Sequence, residues 1–78
     1  MKIAILGVTR GVGLALAKAA LADGHEVTGL ARSPDRMPIR DSRLRLLAGD
    51  AQDPDAVAKT VEGQEVVIDC LGTTQVMQ

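Results

Sequence analysis

An α/β fold with a parallel, doubly wound sheet is predicted by three features of the sequence. Short apolar runs alternate with stretches of helical composition, the connections between them are short, and a glycine-rich turn links the first run to the first helical stretch. Parallel strands joined by right-handed crossovers satisfy all three.

The elements follow in order. KIAIL (2–6) is rich in Ile and ends at Gly7, which reads as a buried strand. GLALAKAALADG (13–24) switches to strong helix formers, with Lys18 as its clear exposed position and Gly24 as its stop. HEVTGLA (25–31) is a second strand, with Val27 and Leu30 as its clearest apolar positions. RSPDRMPIRDS (32–42) holds two prolines and several turn formers, and reads as a loop that can accommodate a short turn of helix. LRLLAG (44–49) is a third strand. Asp53 is placed to N-cap a second helix, Pro54 suits its first position and Gly63 can end it. EVVIDCLG (65–72) is a fourth strand, and the tail TTQVMQ carries no clear signal. Because the strands are mostly apolar, both faces of the sheet are expected to be covered.

Composition narrows the function. The 78 residues form one domain at most, and the core must be built from Leu, Val, Ile, Ala and three Met, because there are no aromatic residues. Ordering a chain costs on the order of 1.5 kcal/mol per residue, so stability is marginal and a ligand or second chain can matter for folding. The net charge of −1 argues against a nucleic-acid partner. Cys70 is the single cysteine, so no intrachain disulfide forms. It fits a reducing, cytoplasmic setting and reads as a small core residue rather than a nucleophile. No apolar run approaches the ~20 residues of a membrane span, and the one in MKIAILG is too short for a signal peptide. Neither a membrane partner nor a metal site is expected. His25 reads as a surface residue.

The stretch GVTRGVG (7–13) carries the function. Gly7 permits a sharp exit from the first strand. Gly11 and Gly13, with Val12 between them, let backbone approach a phosphate and let the helix pack close to the sheet. The helix N-terminus then offers unpaired N–H groups to a pyrophosphate. Placement after a strand and before a helix is the context a dinucleotide-binding turn requires. A tight strand-to-helix turn without a ligand is the competing reading. The absence of GK[ST] after the glycines argues against a P-loop NTPase.

These residues resemble a known group. GVTRGVG is similar to the GASRGIG type of turn in short-chain dehydrogenases/reductases. The remaining segments, GHEVTGLARSPDR and LRLLAGDAQDPDAVAKTVEGQEVVIDCLGT, resemble the atypical branch of that superfamily: the NAD(P)H-binding half of NmrA-like proteins and of the flavin reductase/biliverdin-IXβ reductase group. The atypical branch usually has G-x-x-G-x-x-G, and Arg10 stands where its middle glycine would be. The resemblance implies a Rossmann-like fold, of which the chain holds the N-terminal half with strand order 3-2-1-4, and a nicotinamide dinucleotide as cofactor.

Arg32 follows the second strand, where NAD-specific sites carry an acid on the ribose 2′-OH. A guanidinium there matches a 2′-phosphate in charge and fork geometry. Ser33 can donate a further hydrogen bond and Arg36 can reach the same anion. NADP(H) is therefore expected over NAD(H). By resemblance, Thr9 and Arg10 lie near the adenosine phosphate, Asp50 contacts the adenine amino group with Ala51 beside the ring, and Gly72 and Thr73 form the turn that passes the ribose towards the nicotinamide. The alternative for the arginines is solvated loop charge, and for Asp50 a turn cap.

The superfamily's Tyr-x-x-x-Lys pair has no counterpart, since the chain has no tyrosine. Nor has the family's later substrate region. No catalytic residue is assigned, and the isolated chain is expected to be a poor catalyst. The expected function is the cofactor-binding part of an oxidoreductase of flavin reductase type. The alternatives are an NmrA-like regulatory module that senses NAD(P) without catalysis, and a self-associating chain without ligand. The fourth strand falls at the sheet edge in the order 3-2-1-4, so a homodimer through residues 65–72 is expected.

Overall fold

The computed structural model describes residues 1–9 and 11–70. The elements run β1 (Lys2–Leu6), α1 (Gly11–Ala22), β2 (Glu26–Ala31), a short 3-10 turn (Pro34–Arg36), β3 (Leu44–Ala48), α2 (Pro54–Val61) and β4 (Val66–Asp69). All three strand pairings are parallel, and the order is β3-β2-β1-β4, as expected.

The register sorts the side chains into two faces. Leu46, Gly29, Ile5 and Ile68 lie side by side across the four strands, as do Leu47, Leu30, Leu6 and Asp69 on the next row. Successive residues of a strand point to opposite faces. The face of Ile3, Ile5 and Val27 packs against Ala17 and Leu21 of α1. The opposite face meets α2: Gln64, just after that helix, donates from Nε2 to Thr28 Oγ1 at 3.3 Å. Thr60 is fully buried there and donates its hydroxyl to the Ala56 carbonyl at 2.7 Å.

Both helices end as their sequences direct. Beyond α1, His25 N–H reaches back to the Ala20 carbonyl at 3.0 Å and Gly24 N–H to that of Leu21 at 3.0 Å. This paired pattern needs a left-handed residue, and Gly24 supplies it with φ +87°. At α2 the Asp53 carboxylate accepts the Asp55 N–H at 3.0 Å, and Pro54 takes the first position, where no N–H is needed.

Two details differ from expectation, at α1 and at β4. α1 begins at Gly11, inside the glycine turn, so turn and helix N-terminus are one structure. The connection from β2 to β3 is a loop with one short turn of helix, as expected, and it completes the α1 face: Met37 is buried in the core and Ile39 packs against it. Coverage of both faces holds for β1 and β2 but not for β4. Its Val66 and Val67 are 37% and 49% exposed, because β1 is its one described neighbour. Glu65 lies just outside β4 but still pairs with β1, accepting Lys2 N–H on its carboxylate at 2.9 Å and donating its own N–H to the Lys2 carbonyl at 2.8 Å. Leu71 and Gly72, the end of the expected fourth strand, lie outside the described residues.

Candidate functional site

Parallel strands put all their carboxyl ends on one edge of the sheet. Hydrogen bonds beyond the strands carry the ladder into the loops there: Gly7 N–H to the Leu30 carbonyl at 3.0 Å, Gly49 N–H to Ala31 at 3.0 Å and Cys70 N–H to Leu6 at 2.9 Å. The loops after β1, β2 and β3 are thereby brought to the same edge. Of the residues singled out from the sequence, Gly7, Thr9, Gly11, Val12, Gly13, Arg32, Ser33, Arg36, Asp50 and Ala51 sit in these loops or at the start of α1. Arg10, Gly72 and Thr73 lie outside the described residues.

The three glycines of the turn have separate physical roles. Gly7 has φ +80° and Gly11 φ +62°, a region that side chains other than Asn and Asp enter at a cost. Among the described residues a Cβ on Gly11 would meet nothing within 4 Å, so the space over it is open there. Gly13 is different. A Cβ there would collide with the Gly7 carbonyl oxygen and stand 3.2 Å from Cys70 Cβ. Gly13 therefore lets α1 press against the end of β1 with no room for a methyl group.

Val12 projects into solvent at the head of the helix, 68% exposed. A valine so exposed beside an open backbone surface is a ready apolar contact for a ligand.

Arg32 immediately follows β2 and is exposed, as is Arg36 in the 3-10 turn. Ser33 is half-buried, and its hydroxyl makes no capping bond to that turn. Asp50 spends one oxygen locally: Oδ1 accepts the Gln52 N–H at 2.9 Å, and its main-chain carbonyl accepts the Asp53 N–H at 2.9 Å. The turn-cap alternative for Asp50 is thus what its observed bonds describe.

Cys70 is half-buried beneath the turn, packed on the core. Burial pushes its thiol pKa up, and the neighbouring Asp69 carboxylate adds to the effect. A thiol held protonated in this way is a poor nucleophile, in line with the core role expected for it. His25 is half-buried, with Nδ1 3.2 Å from the Met1 amino group. Among the described residues no group of three His, Cys, Asp or Glu is placed to hold a metal ion, and no helix is long and apolar enough to cross a membrane.

One contributor was missed from the sequence. Val8, inside the turn, is fully buried, and it lies against Gly29 of β2. The signal was present: a lone glycine within a strand marks close approach by another part of the chain.

A hollow of about 340 Å³ lies at the far end of α1 from the turn, between Lys18, Leu21, Ala22 and the loop residues Ile39, Arg40, Asp41 and Arg43. The turn itself offers backbone and a helix N-terminus.

Known proteins share this arrangement. An uncharacterised protein of Mycobacterium tuberculosis is 38% identical over 71 residues, 90% of this chain but 8% of its own length. The crystal structure of a proposed epimerase of Bacteroides thetaiotaomicron superposes with a TM-score of 0.79 at 34% identity, over 87% of this chain and 32% of its own. The oxidoreductase ylbE of Lactococcus lactis gives 0.79 at 27% identity, over 94% and 33%. The chain thus spans about a third of each solved structure and far less of the mycobacterial relative. A family described as NAD(P)H-binding matches residues 7–78. That match begins at Gly7, the first glycine of the turn, and the chain belongs to the NAD(P)H-binding family.

Proposed function

We propose that the chain binds its nicotinamide dinucleotide along the carboxyl edge of the sheet, with NADP(H) preferred over NAD(H), as the cofactor-binding part of an oxidoreductase of flavin reductase type. The observation that carries this reading is the pairing of Gly11 with Gly13. The first leaves open space over the backbone at the head of α1, and the second holds the helix hard against β1. In this reading the α1 N–H groups face the pyrophosphate, with Thr9, Arg10 and Val12 beside it. Arg32, with Ser33 and Arg36, takes the 2′-phosphate of the adenosine ribose. Asp50 and Ala51 flank the adenine, and Gly72 and Thr73 lead towards the nicotinamide. The cofactor supplies hydride chemistry, and these residues bind and orient it.

The proposal extends to the setting and the partner. The lone half-buried thiol fits a cytoplasmic location. The open β4 edge, with Val66 and Val67 exposed, fits a second copy of the chain paired strand to strand.

Calorimetry with NADPH and NADH tests the cofactor choice. NADPH should bind more tightly, and Arg32→Ala should weaken it selectively by about 1.5–3 kcal/mol, roughly 10- to 150-fold. Equal affinities for the two cofactors in the unmodified chain would remove the preference.

A further inference from the structure

A glycine in the interior of a strand weakens it and needs a reason. Gly29 is buried in the middle of β2, paired with Ile5 on one side and Leu46 on the other. A Cβ at this position would stand 2.6 Å from Val8 Cγ1, 2.9 Å from Val8 Cβ and 3.1 Å from Val8 Cγ2. Val8 belongs to the glycine turn, directly before Thr9, and is fully buried. A side chain of the turn therefore occupies the place of the side chain that β2 lacks.

We infer that Gly29 is a positioning residue for the dinucleotide turn: by having no side chain it seats Val8 on the sheet, and so sets how far Thr9 and Gly11 stand above the carboxyl edge. The inference rests on the reading of that turn as the dinucleotide site. Among the described residues the turn is tied to β2 by this contact and by the bond from Gly7 N–H to the Leu30 carbonyl at 3.0 Å.

A methyl group at Gly29 has no easy way to be absorbed. Carbon atoms settle about 3.5–4.0 Å apart, so the contact must open by roughly 1 Å. Turning Val8 about χ1 does not relieve it, because the Val8 Cβ is itself one of the crowded atoms, and a β-branched side chain is stiff at that bond. β2 is held on both sides by β1 and β3. The displacement falls on the backbone of the turn, where a ligand that reads backbone N–H groups is sensitive to about 1 Å.

The test compares Gly29→Ala with the unmodified chain in two measurements, amide hydrogen exchange without ligand and calorimetry with NADPH. Leu44→Ala, at the opposite end of the sheet, serves as a destabilised control. In Gly29→Ala the turn amide that is hydrogen-bonded to β2, Gly7 N–H on the Leu30 carbonyl, should exchange at least tenfold faster, while the amides of β1 and β3 keep their protection. The NADPH Kd should rise at least tenfold, and more than in Leu44→Ala. Adding Val8→Ala, which removes the two closest methyl groups, should recover part of both losses, and this pair supplies the measurement if Gly29→Ala alone does not fold. Unchanged turn exchange in Gly29→Ala, a binding loss no larger than that of Leu44→Ala, or no recovery in the pair would overturn the inference. An unmodified chain that binds no NADPH would remove the dinucleotide reading, and the exchange comparison would then decide the positioning contact alone.

Discussion

Gly13 and Gly11 are two residues apart and do opposite things. At Gly13 a single added methyl group meets a backbone oxygen, which cannot swing aside as a side chain can. Gly13→Ala should therefore cost about 1–3 kcal/mol of stability, the usual range for overpacking, read as a lower urea midpoint. A midpoint within error of the parent would mean that α1 rides further from β1 than the geometry places it. The importance of the three glycines was legible in the sequence because they fall between a strand and a helix. Their division of labour was not, because spacing does not reveal which glycine faces a carbonyl and which faces open space. Gly29 shows the same limit from the other side. A lone glycine in VTGLA signals a close approach, but only the folded chain identifies Val8 as what approaches. Asp50 is the reverse case, for its turn-forming bonds follow from local sequence and its expected adenine contact does not.

Among the elements, legibility followed local chemistry. The ends of α1 and α2 could be read because Gly24, Asp53 and Pro54 act on neighbours within a few residues. The connection from β2 to β3 could not. Met37 and Ile39 complete the core without periodicity, and two prolines disguise them as plain loop. For β4 the pattern of VVID suggested burial on both faces, yet among the described elements only β1 lies beside it. Burial of an edge strand depends on what packs next to it, which its own sequence does not specify. If a second copy covers this edge, sedimentation should show the weight-average mass rising with concentration across the micromolar range. Val67→Lys, which sets a charge on the exposed edge, should return the chain to a monomer. A monomer at all concentrations, unchanged by that substitution, would exclude the pairing.

At the scale of the molecule, the alternation of strands and helices was enough to read a parallel sheet with right-handed crossovers, and the family resemblance supplied the strand order. The order β3-β2-β1-β4 then brings three loops to one edge, although their residues are as far apart in sequence as Gly7 and Asp50. That convergence is the ground for proposing the glycine-rich turn as part of a site, and family membership gives the cofactor class. The central claim is that the dinucleotide lies over the open backbone at the head of α1. Gly11→Asn tests it most directly. Asparagine tolerates a positive φ where valine would not, so the fold should survive while a side chain enters the open space. The measurement is the NADPH Kd by calorimetry beside that of the parent. A folded variant whose affinity falls at least tenfold is the predicted result, and a folded variant that binds NADPH as tightly as the parent would contradict the account.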